Sequence, residues 1–355
     1  MKPSVDKFLE KPAEWLRVSG PMSDVVISSR VRLARNFAGF PFLEKISNRQ
    51  QKEIADLMAA TIKAVPQFKH SEYIRYNEIA ELDRQFLLER HLISREHAVE
   101  KGYQSVAVTD DEMISIMVLE EDHLRQQTFQ PGFNLKQAWK ILDQVDTEIE
   151  KHAEYAFSPS LGYLTACPTN VGTGLRASCM LHLPGLVLTK QIQKVLQALG
   201  KLNLAVRGLY GEGTQATGNF FQFSNQITLG QPEEEIMDNL ESVIQQVVEH
   251  EKNARQFMRE EKKVRFEDQI WRALGALKSS RMISSQESTG FLSLMMLGVE
   301  LGFIEKSVSL QELNTLFLRI QPAHLQKSAG KVLDSTERDV ARATLIRERL
   351  AKVIL

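Results

Sequence analysis

The sequence predicts an α+β domain followed by an all-helical one. Two observations carry this. Short β-rich runs alternate with amphipathic helical stretches over the first two thirds of the chain, and only helical patterns follow the charge-rich stretch 233–263. The late helices also announce their starts, with capping boxes at Ser284 with Glu287, Ser309 with Glu312 and Asp334 with Glu337. The expected division is residues 1–255 and 256–355, the second part serving regulation or dimerisation. A chain of 355 residues is long enough for two domains with a real core.

Bulk composition excludes several classes. Net charge is -1, which implies neither nucleic acid nor an anionic membrane as partner. The two cysteines, Cys167 and Cys179, make neither a disulfide framework nor a metal cluster, and a reducing compartment fits. The N-terminus has no apolar leader. The run Phe291 to Ile304 is too short to span a bilayer and contains Glu300. A cytoplasmic protein is expected.

Taken in order, Trp15 and Leu16 pin a short helix to the body. Asp24 to Arg35 starts as a strand and carries Arg30 and Arg32 at period two, hence on one face. Residues 49–64 are helical, with Asn48 as N-cap. Tyr73 to Ile79 is a strand and Leu82 to Leu92 a helix ending near His91. Tyr103–Val108 and Met113–Leu119 form a hairpin that leads into the run EEDHLR, Glu120 to Arg125. A long amphipathic helix spans Phe133 to His152. Gly162–Ala166 and Leu175–Leu183 then read as two strands around the tight loop CPTNVGTGLR, Cys167 to Arg176. The glycines of that loop leave its N–H groups open to an anion, although on its own the stretch is better explained as an ordinary hairpin turn with a solvated arginine. Helix 189–202, strand 204–209 with Arg207, a glycine loop with Glu212 at its tip, and strand 220–229 complete the first domain, before the chain turns helical after Pro232.

Arg30, Arg32, Arg125, Arg176 and Arg207 lie at strand ends or beside glycine loops, the arrangement a polyphosphate would need. There is no Walker lysine motif and no kinase glycine-rich loop, so arginines would hold the nucleotide. Phosphoryl transfer asks mainly for positioning and charge neutralisation, which such a cluster with Mg²⁺ supplies. Glu121 and Glu212 beside it suit a guanidino nucleophile, which two carboxylates can orient and deprotonate. Cys167 is either a third anionic contact to that substrate or a small core thiol; Cys179 reads as core.

These residues resemble the phosphagen kinases, the arginine and creatine kinases. The matching stretches are SSRVR (Ser28 to Arg32), EEDHLR (Glu120 to Arg125), CPTNVGTGLRAS (Cys167 to Ser178), and Arg207 and Gly208 with Glu212 beyond. Together they are highly specific and cover roughly Asp24 to Arg255. The resemblance implies an antiparallel sheet flanked by helices, of the glutamine-synthetase-like type. It implies an ATP site comprising Ser28, Ser29, Arg30, Val31, Arg32, Arg125, Arg176, Arg207 and Gly208. It further implies guanidino-clamping Glu121 and Glu212, a substrate-side thiol at Cys167, and Mg²⁺ held through ATP rather than by protein ligands.

Only 27 residues precede Ser28, where the phosphagen kinases carry a helical domain of about a hundred residues, and the helical C-terminal part here is absent from them. Both features resemble the bacterial protein-arginine kinases. Similarity to those adds His91 and the segment Arg176, Ala177, Ser178, Cys179 and Met180 to the nucleotide lining; Met180 stands where the small-molecule enzymes carry a histidine. It also implies a second, phosphoarginine-binding site at Arg338, Asp339 and Arg342 on the last helix. Arg338, Arg342 and Arg349 fall within roughly 40° of one another at about 100° per residue. By the same resemblance, the partners are substrate proteins with accessible arginine, a zinc-binding activator and an unfoldase–protease; a homodimer is expected. The alternatives are a free-arginine kinase and an inactive adaptor that binds ATP or phosphoarginine. Both glutamates argue against the adaptor, and the short N-terminal stretch argues against the free-arginine kinase.

Overall fold

The computed structural model describes residues 5–99, 102–200, 204–208, 217–304 and 308–353. Glu212, one of the two clamp carboxylates expected from the sequence, lies outside the described residues.

Eight strands make one sheet: β1 (Val26–Arg35), β2 (Ser71–Arg75), β3 (Ser105–Thr109), β4 (Ile114–Val118), β5 (Leu124–Pro131), β8 (Leu175–His182), β9 (Leu204–Gly208) and β10 (Phe220–Asn225). Their order is β2-β3-β4-β5-β1-β8-β10-β9, and each neighbouring pair is antiparallel. The short β6 (Phe157–Ser158) and β7 (Gly162–Tyr163) pair with each other, and Tyr163 of β7 also bridges Gly172. The expected hairpin of 162–166 with 175–183 therefore does not form. β8 pairs instead with β1 and β10, and 164–174 is a long connection between the two sheets. The hairpin of β3 and β4 is present.

The helices among the described residues are α1 (Lys7–Glu10), α2 (Asn48–Ala64), α3 (Glu81–Glu89), α4 (Leu135–Glu150), α5 (Pro184–Leu188), α6 (Ile192–Gly200), α7 (Glu233–Glu260), α8 (Lys263–Ser279), α9 (Ser285–Leu301), α10 (Leu310–Arg319), α11 (Pro322–Ala329) and α12 (Ser335–Arg349). Ser47, not Asn48, caps α2: its hydroxyl accepts from Gln50 N while Gln50 reaches back. α10 and α12 carry full capping boxes, whereas α9 keeps only the Ser284 half. None of the described helices is long and apolar enough to cross a membrane.

The two faces of the sheet bury different things. Val31, Leu33, Leu175, Ala177, Cys179 and Leu181 point to one side, into an apolar cluster with α4 and α7. On the other side Ile27, Phe129, Met180 and Phe220 join a second cluster built from Trp15, Leu16 and the C-terminal helices. Period-two alternation explains the split, because each strand sends successive side chains to opposite faces, and a register shift between Val26 and Ser28 accounts for Ile27. The arginine-bearing positions share the second face, beyond the reach of the C-terminal helices, and remain open as a cleft.

Candidate active site

The register assembles the arginines. Arg30 stands opposite Ser178, Arg32 opposite Arg176, and Ala34 opposite Arg125, while Gln222 links Met180 to Arg207 across β10. Directly paired residues share a face, so Arg30, Arg32, Arg125, Arg176 and Arg207 line one cleft of about 540 Å³. Five guanidiniums repel one another there. Burial, with Arg125 and Arg176 adding to it, pushes Arg30 down to about 9. Burial and its cationic neighbours also depress Arg32 and Arg176. The buried Nε atoms of Arg32 and Arg176 have no hydrogen-bond partner among the described residues. Depressed cations and orphaned donors fit an anion with several oxygens. Two neutral side chains on β10 hold the array: Gln222 accepts from Arg30 at 3.0 Å, and Ser224 accepts from Arg176 at 3.1 Å.

The acidic wall is the tight turn between β4 and β5. Leu119 adopts φ 61°, and the turn closes through Leu119 N to His123 O and Glu120 N to Asp122 O. Each acid in it has a different environment. The Glu120 side chain is buried and accepts from Arg125 Nη1 at 2.5 Å, from Ser94 Oγ, and from the Glu121 amide. Burial alone would raise its carboxyl, but Arg125 and these donors outweigh that and hold it below the usual range. Asp122 accepts from Asn36 Nδ2 and Ala166 N, both at 2.6 Å, which ties the turn to the chain entering Cys167. Glu121 stays exposed in the cleft, and partial burial, Glu120 and Asp122 raise its pKa. The roles of Glu120, Asp122 and Gln222 escaped the sequence reading. Glu120 and Asp122 stood inside a recognised acidic run, and Gln222 on a recognised strand, but only tertiary pairing distinguishes them.

Cys167 faces the same cleft, with its Sγ 3.0 Å from Thr169 Oγ1. Two of the amides in the loop after it, expected to face an anion, are engaged within the protein instead. Thr173 N donates to Thr228 O, and Gly172 N points at Tyr163 O. Its glycines serve close packing: a Cβ at Gly172 (φ 109°) would meet Thr228 O at 2.2 Å, and one at Gly174 would meet Ala34 O at 2.6 Å.

Several residues expected around the nucleotide lie elsewhere. Val31, Ala177 and Cys179 point into the opposite core, and burial pushes the Cys179 thiol up to about 12. Ser29 also faces that side, where it donates to Gly132 O and accepts from Asn134 N at the start of α4. Ser178 shares the arginine face and donates to Arg30 O; Ser28 is buried beside Met180 on the same face. Gly208 ends β9, one residue beyond Arg207. His91 and Met180 do not line the cleft. They border a separate small void of about 10 Å³ with Trp15, Phe220 and Phe317. Burial, with Arg30 and Arg95 adding to it, drives His91 down to about 3.

On α12, Arg342 is buried, and its donors go to Ile320 O at 2.9 Å, Ile283 O at 2.9 Å and the Asp339 carboxylate. It is a packing tie rather than an open anion fork. Arg338 is half-buried and donates to Leu333 O.

A sheet that gathers arginines opposite a carboxylate and a thiol defines a phosphotransferase of the guanidino-kinase class. The profile of the ATP:guanido phosphotransferase C-terminal catalytic domain matches residues 53–254, and that of the protein-arginine kinase McsB C-terminal domain matches 263–354. The chain is 48% identical to the protein-arginine kinase of Moorella thermoacetica over 346 residues, 97% of this chain and 99% of that one. It is 47% identical to that of Bacillus cereus over 350 residues, 98% of each chain. Among solved structures, the duplicated taurocyamine kinase from Schistosoma mansoni with bound transition state analog components superposes at a TM-score of 0.59 and 25% identity. That match covers 66% of this chain and 34% of the duplicated one. Lombricine kinase, at 22% identity and a TM-score of 0.56 over 71% of each chain, shares the fold. The chain belongs to the protein-arginine kinase family.

Proposed function

We propose that this cleft transfers the γ-phosphoryl group of Mg-ATP to the guanidino group of arginine side chains in proteins. One observation carries the reading: five guanidiniums, two with orphaned buried donors, face an exposed carboxylate of raised pKa across a single cleft. In the forward step a guanidino nitrogen forms a bond to Pγ, the bond from Pγ to the β,γ-bridging oxygen breaks, and ADP leaves. Glu121 takes the proton released from the guanidinium, and Arg30, Arg32, Arg125, Arg176 and Arg207 neutralise the phosphate oxygens. Glu120 keeps Arg125 and the Glu121 main chain in register. Cys167 borders the guanidinium, and Glu212 is the sequence's second clamp carboxylate.

Among the described residues no three His, Cys, Asp or Glu side chains gather as a metal site, and Glu120 and Asp122 are already engaged. By resemblance, Mg²⁺ would ride on the phosphate oxygens and supply charge neutralisation there. Regulation through phosphoarginine at Arg338 and Asp339, marking of proteins for degradation, a zinc-binding activator, an unfoldase–protease and a cytoplasmic homodimer belong to the same proposal, by resemblance.

The test is incubation with Mg-ATP and a mixed protein pool, followed by a search for acid-labile phosphate on arginine. Arginine in protein should be phosphorylated far faster than free arginine. Equal specificity constants would favour a free-arginine kinase, and no phosphoarginine on either would favour the adaptor.

A further inference from the structure

The loop from Cys167 to Gly174 is a partition between two clefts. Cys167, Thr169, Asn170 and Gly174 line the arginine cleft, while Gly172 and Thr173 line a second groove of about 490 Å³ on the far side. The second groove carries large apolar side chains in the open: Phe157 is 58% exposed, Leu161 46% and Leu229 50%. Single exposed apolar residues are ordinary, but three around one shallow groove mark a contact surface.

We propose that this groove docks the polypeptide flanking the target arginine, and that its occupant is an apolar, unfolded stretch of the substrate protein. The inference rests on the protein-arginine kinase reading above. An arginine side chain is short, so the chain bearing it must run along the rim of the catalytic cleft, and the groove begins one loop away. The partition is also stiff. Gly162 and Gly172 pack backbone to backbone, and Gly172 lies against Thr228 and Leu229, so the groove keeps a fixed relation to the cleft. Charge agrees with the occupant. Glu233, in the acidic first turn of α7 with Glu234 and Glu235, is part of the lining, which suits a cationic, arginine-bearing chain. Unfolded segments expose the apolar residues that Phe157, Leu161 and Leu229 would cover, whereas folded surfaces seldom do.

The experiment compares two substrates with the full-length chain: a reduced, alkylated unfolded protein, and a short arginine peptide otherwise made of glycine and serine. Leu161→Asp and Leu229→Asp, alone and together, change exposed positions outside the catalytic cleft. The expected result is a KM for the unfolded protein raised about tenfold in the double variant, with kcat for that protein and both constants for the peptide unchanged. Equal effects on the two substrates, or none on either, would overturn the docking role while leaving the kinase reading intact. A shift of the double variant to a smaller species in sedimentation would assign the groove to a second copy of the chain and overturn it too. Absence of phosphoarginine on both substrates with the unaltered chain would overturn the kinase reading, and this inference with it.

Discussion

Arg342→Ala tests whether α12 uses this guanidinium to hold the C-terminal helices together. The side chain is buried, with bonds at 2.9 Å to the Ile320 carbonyl, at 2.9 Å to the Ile283 carbonyl, and to Asp339 three residues back. Hydrogen bonds that involve a charged group are worth about 1.5–3 kcal/mol each, and an orphaned buried carbonyl costs about 1–3 kcal/mol. Partial relaxation offsets some of that, leaving an expected loss of about 3–5 kcal/mol. Arg338→Ala removes one bond, to Leu333 O, from a half-buried side chain, and should cost about 0.5–1.5 kcal/mol. Urea titration followed by far-UV circular dichroism and by tryptophan fluorescence reads both, the two probes separating the C-terminal transition if it uncouples. The reasoning fails if Arg342→Ala lies within about 1 kcal/mol of the unaltered chain, or is no worse than Arg338→Ala. The outcome also governs tests of phosphoarginine regulation, which must rely on Arg338 and Asp339, because loss of Arg342 would confound binding with folding.

Glu121→Gln should lower turnover about 10²–10⁴-fold with ATP affinity retained, and the acidic limb of kcat/KM in the unaltered chain should lie above the ordinary carboxylate range, since the pKa of Glu121 is raised. An acidic limb in the ordinary range, or near-normal turnover in the variant, removes Glu121 as the base. Arg125→Ala should lose about 10³-fold, with little recovery in Arg125→Lys, which lacks the planar fork; full activity of the lysine variant would exclude a phosphate clamp. Glu89 accepts from Ala323 N and His324 N at the start of α11, and burial raises it to about 7 from an ordinary 4.5 against the pull of those donors, Arg342 and Arg338. Its protonated form is favoured in the folded chain, so this contribution is full below about pH 4.5 and is lost as pH rises through about 7. Thermal midpoints of Glu89→Gln should therefore gain on those of the unaltered chain across that window, and a constant difference would refute the linkage.

The parts of this site legible in the sequence were those set by local period. Arg30 and Arg32 at spacing two share a face wherever the strand goes, and the capped C-terminal helices announced themselves. What stayed hidden depends on partners distant in sequence. The strand after the glycine loop pairs with residues around 26–33 and 220–224 rather than with the run just before it, which no local pattern specifies. The segment 176–180 was carried into the nucleotide site as a block, although alternation sends Ala177 and Cys179 to the other face. Arg342 read as an open anion fork because the carbonyls it meets, at Ile283 and Ile320, come from other elements.

The apolar cluster that joins Ile27, Phe129, Met180 and Phe220 of the sheet to α8, α9, α10 and α12 has a consequence for inheritance. A gene cut between the two matched segments, 53–254 and 263–354, would yield a catalytic piece with four large side chains stripped of cover, and a helical remnant lacking the surface it folded against. Neither product is a ready building block. Recombination can shuffle such a helical segment among other chains only if the recipient sheet already carries a matching greasy face, so the two halves are bound to be passed on together.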